Sequence, residues 1–361
     1  MPLLKKNKKC TILGGLLKIL MLLAAGLLLI SYVSMFFNPS GAWLLTVLGL
    51  LCPPLILLNI VFLIWSLLKR ISLFWFSLAA LLPSVFIFGL YFQLPDKEEN
   101  NGNVKIISYN VGRFSMFSQK DGIKSLEQCT DSVMAFLLKQ NADIICLQEF
   151  AMRDAKEVKG YLEKRFKGYD VEYYVYPHNK GCYGNVTLSR FPLKNKGKLD
   201  FEKSSNLAIY CDYNINGTDL RVYNCHFQSY NISFSRLSKT FGSSRALKDT
   251  EEKVKRSIAR RPNQVEMVIK DIEACPLESI VVGDFNDNPT SYTYYRLCKG
   301  RKDTFVEAGK WLAPTCSYLW PFLRIDYILY PEKYKATKHF IGKLRYSDHF
   351  PVLAELKIGI D

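Results

Sequence analysis

Three apolar runs fill the first quarter of the chain, about Thr11–Phe37, Ala42–Leu68 and Ile71–Phe92. Beyond them the pattern changes to short apolar stretches divided by polar turns. Each run is long enough for a helix that crosses a hydrocarbon core, which takes about 20 residues. Lys18 is the one charge inside them, and it lies near an end where its stem can snorkel. Buried core helices share this composition, but three in succession without an acidic residue point to a membrane. A cleaved signal peptide fits poorly, because the first run is too long for an h-region and two more follow. Lys5, Lys6, Lys8 and Lys9 precede the first run, Lys69-Arg70 separate the second from the third, and the loop Asn38–Gly41 carries no charge. Basic flanks stay on the cytoplasmic side, so this pattern predicts a cytoplasmic N-terminus and, after three crossings, an extracytoplasmic remainder. In a bacterium that is an inner-membrane protein with its soluble part outside. Pro53-Pro54 and Pro83 predict bends in the second and third runs. The division expected is therefore 1–92 as a membrane anchor with three transmembrane helices (about 11–37, 42–68 and 71–92), 93–103 as a polar linker, and 104–358 as a folded domain.

In that domain the apolar pattern alternates between strand and helix periods. Val104–Tyr109 reads as a strand ended by Asn110. Gly122–Gln140 reads as an imperfect helical face with Asn141 as its cap. Asp143–Glu149 reads as a strand with Leu147 and Glu149 on one face and Cys146 on the other. Lys156–Lys167 is an amphipathic surface helix, and Val171–Tyr176 and Gly184–Pro192 are strands. Asn216-Gly217 between Asn206–Asn214 and Leu220–Phe227 is a favoured hairpin signal, with His226 near the end of the second arm. Ser229–Pro262 is basic and irregular; a solvated helix or a substrate-facing lid both fit it. A helix over Gln264–Ala274 then leads into the strand Ile280–Val282. Arg324–Leu329 and a last strand to about Lys357 complete the series, and the hairpins argue against a purely parallel sheet.

Charge adds little. Residues 1–92 hold seven Lys/Arg and no acid, leaving 41 Lys/Arg against 33 Asp/Glu in the rest, so much of the net +15 belongs to the membrane flanks. The chemistry sits where strands run out. Gly283-Asp284-Phe285-Asn286 follows a buried strand, and continued strand geometry would put Asp284 and Asn286 on one face. A polar turn accounts for the same four residues. Asn110, Glu149, His226, Asp326 and the pair Asp348-His349 occupy similar strand-end positions. Carboxylate and amide oxygens are the ligands that Mg²⁺ prefers. The short His/Cys spacings of a zinc site are missing, as are a phosphate-binding Gly-rich loop with its lysine and a Gly-x-Ser-x-Gly elbow.

Seven motifs in this order resemble the endonuclease/exonuclease/phosphatase superfamily, the DNase-I-like fold. They are Ser108-Tyr109-Asn110, Leu147-Gln148-Glu149, Gly184-Asn185 through Ser189-Arg190-Phe191-Pro192, Asn224-Cys225-His226, Gly283-Asp284-Phe285-Asn286, Arg324-Ile325-Asp326-Tyr327 and Ser347-Asp348-His349. Each is weak alone; the ordered set is specific, and it covers about Val104–Lys357. The resemblance implies a four-layer α/β sandwich, two packed mixed β-sheets flanked by helices, preceded here by the three transmembrane helices. It also implies phosphoester cleavage dependent on Mg²⁺, with Mn²⁺ as the alternative. Carried over by position, Glu149 is the principal metal ligand with Asn110 and Asp348 near the metal. Asp284 aligns or deprotonates the attacking water, and Asn286 orients water or phosphate. His349, paired with Asp326, is charged and stabilises the phosphoryl oxygens, and His226 contacts the phosphate or assists the leaving oxygen. No other cofactor and no protein partner is expected.

Substrate stays open at this level. A membrane-held, nuclease-like phosphodiesterase is the first expectation. A phospholipid or sphingolipid headgroup phosphodiesterase is the second, and a non-catalytic receptor for a phosphate ligand is the third.

Overall fold

The computed structural model describes residues 12–95, 101–114, 125–178, 181–202, 204–230, 244–317, 321, 323–344, 346–359. The lysines before the first apolar run, residues 96–100 of the polar linker, the start of the helix expected from Gly122 and the first part of the basic segment lie outside these residues.

Among the described residues, twelve strands form two six-stranded sheets. They are β1 (Val104–Asn110), β2 (Ile144–Met152), β3 (Asp170–His178), β4 (Gly181–Ser189), β5 (Leu193–Asp200), β6 (Leu207–Ile215), β7 (Thr218–His226), β8 (Glu278–Asp284), β9 (Arg301–Asp303), β10 (Asp326–Pro331), β11 (Lys335–Ile341) and β12 (Val352–Lys357). One sheet has the order β11-β12-β1-β2-β4-β3 and the other β5-β6-β7-β8-β10-β9. Each is mixed, with one parallel pair at its centre, β1 with β2 and β7 with β8. Alternation along the strands explains the layers. Ile106, Ile144 and Cys146 meet Cys211, Val222, Val282 and Ile328 between the sheets. The opposite face of β1 and β2, with Ile107, Ile145 and Leu147, packs on the helix Leu126–Gln140 and on Val158–Arg165. The opposite face of β7 and β8, with Cys225 and Val281, packs on the long helix Ser244–Ala274 and the short helix Tyr292–Cys298. Four layers result, as the resemblance implies. No disulfide joins the described residues, and the strand cysteines serve as small core side chains.

Local signals behave as physics requires. Asn141 caps its helix in the left-handed region at φ 52°, and Asn216-Gly217 turns the β6–β7 hairpin with both φ positive. The basic segment differs from expectation. It does not break at Pro262; one helix runs from Ser244 through it to Ala274. Its apolar side, with Ile258, Val265 and Val268, is buried in the core. The described part is thus a packed helix rather than a lid.

The three transmembrane helices are also corrected. One helix, Gly14–Phe36, is long and apolar enough to cross a membrane. The second run breaks into Trp43–Leu50 and Cys52–Leu68, bent by 59°, because two successive prolines lack the N–H donors that would continue the first helix and suit the opening turn of a new one. The third is short, Phe74–Leu90, and is interrupted around Pro83. These helices pack together through Ala25, Leu28, Cys52 and Ala80. Their polarity is inverted relative to a soluble core. Ser31, Asn59, Ser66 and Ser77 are buried, whereas Leu23, Val61, Leu68 and Phe86 are exposed.

The helical unit is bonded to the sheets rather than tethered to them. At the break between its second and third helices the carbonyl of Gly49 accepts from Asn288 Nδ2 at 2.9 Å and Thr290 Oγ1 at 3.3 Å. Ser34 Oγ donates to the Thr290 carbonyl at 3.2 Å, and Tyr91 Oη bonds Thr290 Oγ1 at 2.8 Å. Arg324 Nη2 donates to the Leu90 carbonyl at 3.0 Å, and Gln93 pairs with Trp311 as a two-residue bridge. Gly49 allows the approach, since a Cβ there would collide with Ser34 Oγ.

Candidate active site

Strand register assembles the site. His226, at the end of β7, is aligned with Asp284, at the end of β8, and Asp284 with Asp326, at the start of β10. Three adjacent strands therefore deliver three functional side chains in one row at one edge of the sheet. Gly283 is needed just before Asp284, because its φ is +138° and a Cβ would strike the Cys225 carbonyl. Across the inter-sheet layer, β1 and β2 end at the same edge and bring Asn110 and Glu149.

Asp284 is the hub. It is buried, and its carboxylate accepts from Asn110 Nδ2 at 2.9 Å, the Asn286 backbone N–H at 2.8 Å and Asn286 Nδ2 at 3.0 Å. Asn286 reaches it differently from the strand-based expectation. The strand stops at Asp284, and Asn286 folds back through a left-handed turn at φ 53°, which asparagine tolerates well. Its second amide proton goes to the Phe227 carbonyl at 2.9 Å. Both donors of the amide are thereby engaged, leaving Oδ1 as an acceptor suited to a water rather than to a phosphoryl oxygen.

His349 is buried, and Nδ1 pairs with Asp326 Oδ2 at 3.0 Å while Nε2 lies 3.7 Å from Asp284 Oδ2. Burial works against its charge, but the carboxylates of Asp326 and Asp284 outweigh it and hold the imidazole pKa well above its usual 6.5. Burial likewise pushes Asp284 up to about 6; His349 and His226 draw it down, and Asp326 adds to the rise. His226 Nε2 stands 3.7 Å from both Asp284 Oδ2 and Glu149 Oε1, so this ring links the two halves of the site.

The remaining groups gather around the turn after β1. Glu149 occupies a bulge in β2, where register shifts between Leu147 and Phe150 and φ reaches 51°. That bulge, rather than simple alternation, re-aims the side chain. Its Oε2 lies 3.1 Å from Arg113 Nε. Ser347 Oγ donates to the Asn110 carbonyl at 2.8 Å and accepts from the His349 N–H at 3.1 Å. Gly112 lies against Asp348, whose Oδ1 a Cβ there would meet at 3.3 Å. All eight side chains named from the sequence thus converge on one edge of the sandwich.

Other groups carried no assigned role. Arg113 pairs with Glu149. Thr315 Oγ1 accepts the N–H groups of Ile325 and Asp326, fixing the start of β10. Asn224 Nδ2 reaches the Leu147 and Val186 carbonyls, and Gln148 Nε2 reaches Asn224 Oδ1 at 2.8 Å, a polar bridge between the sheets directly behind the site. A serine two residues before a buried histidine is a readable turn signal in Ser347. The ion pair of Arg113 has none.

Among the described residues one cluster brings several ligand atoms together for a cation. Asp284, Asp326 and His349 bring their ligand atoms within 4.8 Å of one another. Those atoms are already spent on each other and on three N–H donors. Glu149 and Asp348 offer partly exposed carboxylates, and Asn110 Oδ1, which accepts from the Gly112 N–H at 3.0 Å, keeps a second lone pair; oxygen donors of this kind suit a hard divalent ion.

The chain matches known proteins in two parts. The model of the endonuclease/exonuclease/phosphatase family covers residues 107–349, and that of a domain of unknown function (DUF8431) covers residues 14–91. No curated protein matches the chain. Among solved structures, an endonuclease/exonuclease/phosphatase from Beutenbergia cavernae DSM 12333 aligns at 18% identity and TM-score 0.52, over 72% of each chain. One from Bacteroides vulgatus aligns at 17% identity and TM-score 0.52, over 71% of this chain and 99% of that one. Truncated Caenorhabditis elegans TDP2 aligns at 17% identity and TM-score 0.50, over 71% and 98%. Similarity at that level speaks for the fold, and the family match carries the assignment. With two mixed sheets flanked by helices and the strand-end groups in register, the chain belongs to the endonuclease/exonuclease/phosphatase family, whose members act on phosphoester bonds and generally use divalent metals.

Proposed function

We propose that this protein is a divalent-metal-dependent phosphodiester hydrolase held at a membrane surface. The observation that carries the reading is the aligned row His226, Asp284 and Asp326, closed by His349 and facing Glu149, Asn110 and Asp348. Glu149, Asn110 and Asp348 would hold the metal, Mg²⁺ or Mn²⁺. A cation bound there neutralises charge developing on the phosphate and lowers the pKa of bound water. Asp284, raised toward neutrality, aligns the attacking water and takes its proton, with Asn286 Oδ1 accepting from the same water. His349 stays charged against Asp326 and stabilises the phosphoryl oxygens. His226 assists the leaving oxygen.

The inverted polarity of the helical unit supports its insertion in a bilayer, with Gly14–Phe36 as the full span. The end of that helix, the break at Gly49 and Leu90–Gln93 all touch the sheets. From the break the helix Cys52–Leu68 runs away for about 25 Å to Lys69-Arg70. The basic turn then stands at the far end of that helix from the Gly49 break, which supports an extracytoplasmic site under the basic-flank rule. In sealed right-side-out vesicles of an expressing bacterium, external protease is expected to degrade the sheet region. Complete protection there, with degradation in inverted vesicles, would reverse the orientation.

Nucleic acid and lipid headgroup are the two substrate classes that this chemistry serves. One observation favours the lipid. The turn Asn288–Thr290, just past Asn286, is bonded directly to the apolar helices, which fixes the site relative to a bilayer. The deciding assay incubates the full chain in nanodiscs with Mg²⁺ or EDTA, offering labelled DNA and mixed phospholipid at equal phosphodiester concentration. Headgroup release that needs Mg²⁺ and spares DNA is expected. Cleaved DNA with intact lipid would make the protein a surface nuclease. Turnover of neither, by folded protein, would favour a phosphate-ligand receptor.

A further inference from the structure

The helical unit and the sheet-bearing unit enclose an apolar cavity of about 280 Å³. Ile56 and Ile87 line it from one side, and Ala313, Pro314 and Arg324 from the other. Leu57 and Phe88 line it too and are 47% and 58% exposed, which puts its mouth on the apolar outer surface of the helices. Among the described residues the polar side chains of the lining are Ser84, Tyr91 and Arg324, and each is engaged elsewhere. Ser84 Oγ donates to the Leu81 carbonyl at 2.6 Å, and Tyr91 Oη bonds Thr290 Oγ1 at 2.8 Å. Arg324 Nη1 pairs with Asp303 at 2.6 Å and Nη2 donates to the Leu90 carbonyl at 3.0 Å. Such a lining suits hydrocarbon better than a polar occupant, whose own groups would be stripped of water there.

Three chain paths join the wall of this cavity to the catalytic groups. From Pro314 two residues, at most about 7 Å of chain, lead to Cys316, which pairs with His349 as an isolated bridge. The next N–H, of Ser317, donates to the Asp348 carbonyl at 2.8 Å. From Arg324 two residues lead to Asp326, whose N–H is held by Thr315 Oγ1, the neighbour of Pro314. Tyr91, through Thr290, is bonded to the turn that follows Asn286. The cavity therefore lies beside the row of strand ends, on the side where the helices approach. A phosphodiester at that row, joined by a short linker to a hydrocarbon chain in the cavity, describes a phospholipid. A nucleic acid has no group of that kind to place there.

We propose that this cavity takes one hydrocarbon chain of a phospholipid whose phosphodiester lies at the catalytic edge, so that the enzyme selects its substrate by the tail. Ile56 and Ile87 are then specificity-determining residues, and the chain enters from the bilayer past Leu57 and Phe88. The inference rests on the reading of the protein as a membrane-held phosphodiesterase that acts on lipid, and its test separates the two.

Full chain in nanodiscs serves for binding and for kinetics. For binding, in EDTA, the probes are phosphatidylcholine, phosphatidylethanolamine and phosphatidylglycerol with a diazirine near the end of one acyl chain. After irradiation the labelled residues are mapped by mass spectrometry. Label on Ala313 is expected; this residue is buried, so lipid at the outer surface does not reach it. Ile56→Trp, which fills the cavity, is expected to lower that label by about tenfold. Leu23→Trp, at an exposed position outside the lining, is expected to leave it. Ile87→Trp serves should Ile56→Trp fail to fold. For kinetics, the same three headgroups are offered with dibutanoyl or dioctanoyl chains. Each buried methylene is worth about fourfold, so kcat/KM should rise by at least about tenfold with the longer chains. The filling variants should flatten that rise, and Leu23→Trp should keep it. An unlabelled Ala313, or label that both filling variants leave unchanged, would overturn the proposal, and lipid turnover in that case would leave the hydrolase reading intact. A chain-length dependence that the filling variants do not alter would also overturn it, marking the labelled chain as bilayer lipid rather than substrate. Label abolished by the filling variants, in a protein that turns over no phospholipid, would keep the chain site while the hydrolase reading fell.

Discussion

Asp284→Asn is expected to lower kcat by about 10²–10⁴-fold, the range for losing a positioned general base, with the chain still folded. The wild-type carboxylate accepts three N–H donors, two on Oδ2 and one on Oδ1. An amide has one oxygen and one NH₂ group, so in either orientation the NH₂ faces a donor. At least one buried N–H loses its acceptor, at a cost of about 1–3 kcal/mol. The substitution also removes the negative charge that, with Asp326, holds His349 protonated. Two roles therefore fail together, alignment of the water and support of the cationic ring, and the loss should exceed that of Asn286→Ala, which removes one acceptor from the water and the amide donors to Asp284 and the Phe227 carbonyl but keeps the base. Turnover of a chromogenic phosphodiester by full-length protein, with melting curves alongside, tests this. Retention of kcat to within about tenfold, in a variant that binds metal normally, would mean that Asp284 is structural and the water is activated elsewhere.

The sequence signals differed in what they could carry. Strand ends were legible because an apolar run that stops at Asn, Asp or His must leave its last side chain at a sheet edge. Asn110, His226 and Asp284 end their strands in this way, Asp326 opens one, and Glu149, Asn286, Asp348 and His349 lie in a bulge or turn beside them. What was not legible is how two of them get there. Glu149 is aimed by a bulge and Asn286 by a left-handed turn, and in each case a single backbone dihedral overrides the period-two rule. Alternation predicts faces only where the ladder is regular. Pro53-Pro54 could be read as a bend but not as a break of 59° that splits one apolar run into two helices. Hydropathy measures the length of a run and is blind to whether its backbone is continuous. The contact between Gly49 and Asn288 is a glycine–asparagine pair separated by more than 200 residues, with no local pattern to announce it.

Arg261 shows the same limit in its strongest form. In the sequence it is one more cation of a basic helix that continues toward solvent. In the fold it is fully buried and its Nη1 pairs with Asp287 Oδ2 at 2.8 Å. Its Nε donates to the Gln228 carbonyl at 2.7 Å, and Thr293 Oγ1 donates to Asp287 Oδ2 at 2.9 Å. Tyr230 Oη also donates to Asp287, and burial pushes that hydroxyl up, so it remains a donor. Tyr327 Oη bonds the Asp287 backbone carbonyl at 2.8 Å. This cluster pins the turn between Asn286, which faces the reaction, and Asn288, which faces the helices.

Asp287→Ala is accordingly expected to destabilise the protein by about 3–5 kcal/mol, because it strands a buried guanidinium. For a folded unit of this size that corresponds to a fall in Tm of roughly 10 °C or more. Arg261→Met with Asp287→Leu removes both charges at similar volume and should recover most of the loss. The recovered protein should still turn over more slowly than wild type, because leucine cannot hold Thr293 and Tyr230 and the turn bearing Asn286 loosens. Melting curves and kcat on the three chains separate these effects. A single variant that melts within about 1 °C of wild type would show that solvent reaches Arg261 and that the turn is held by the helices alone. A double variant as unstable as the single one would show that the polar contacts to Asp287, rather than the ion pair, carry the stability.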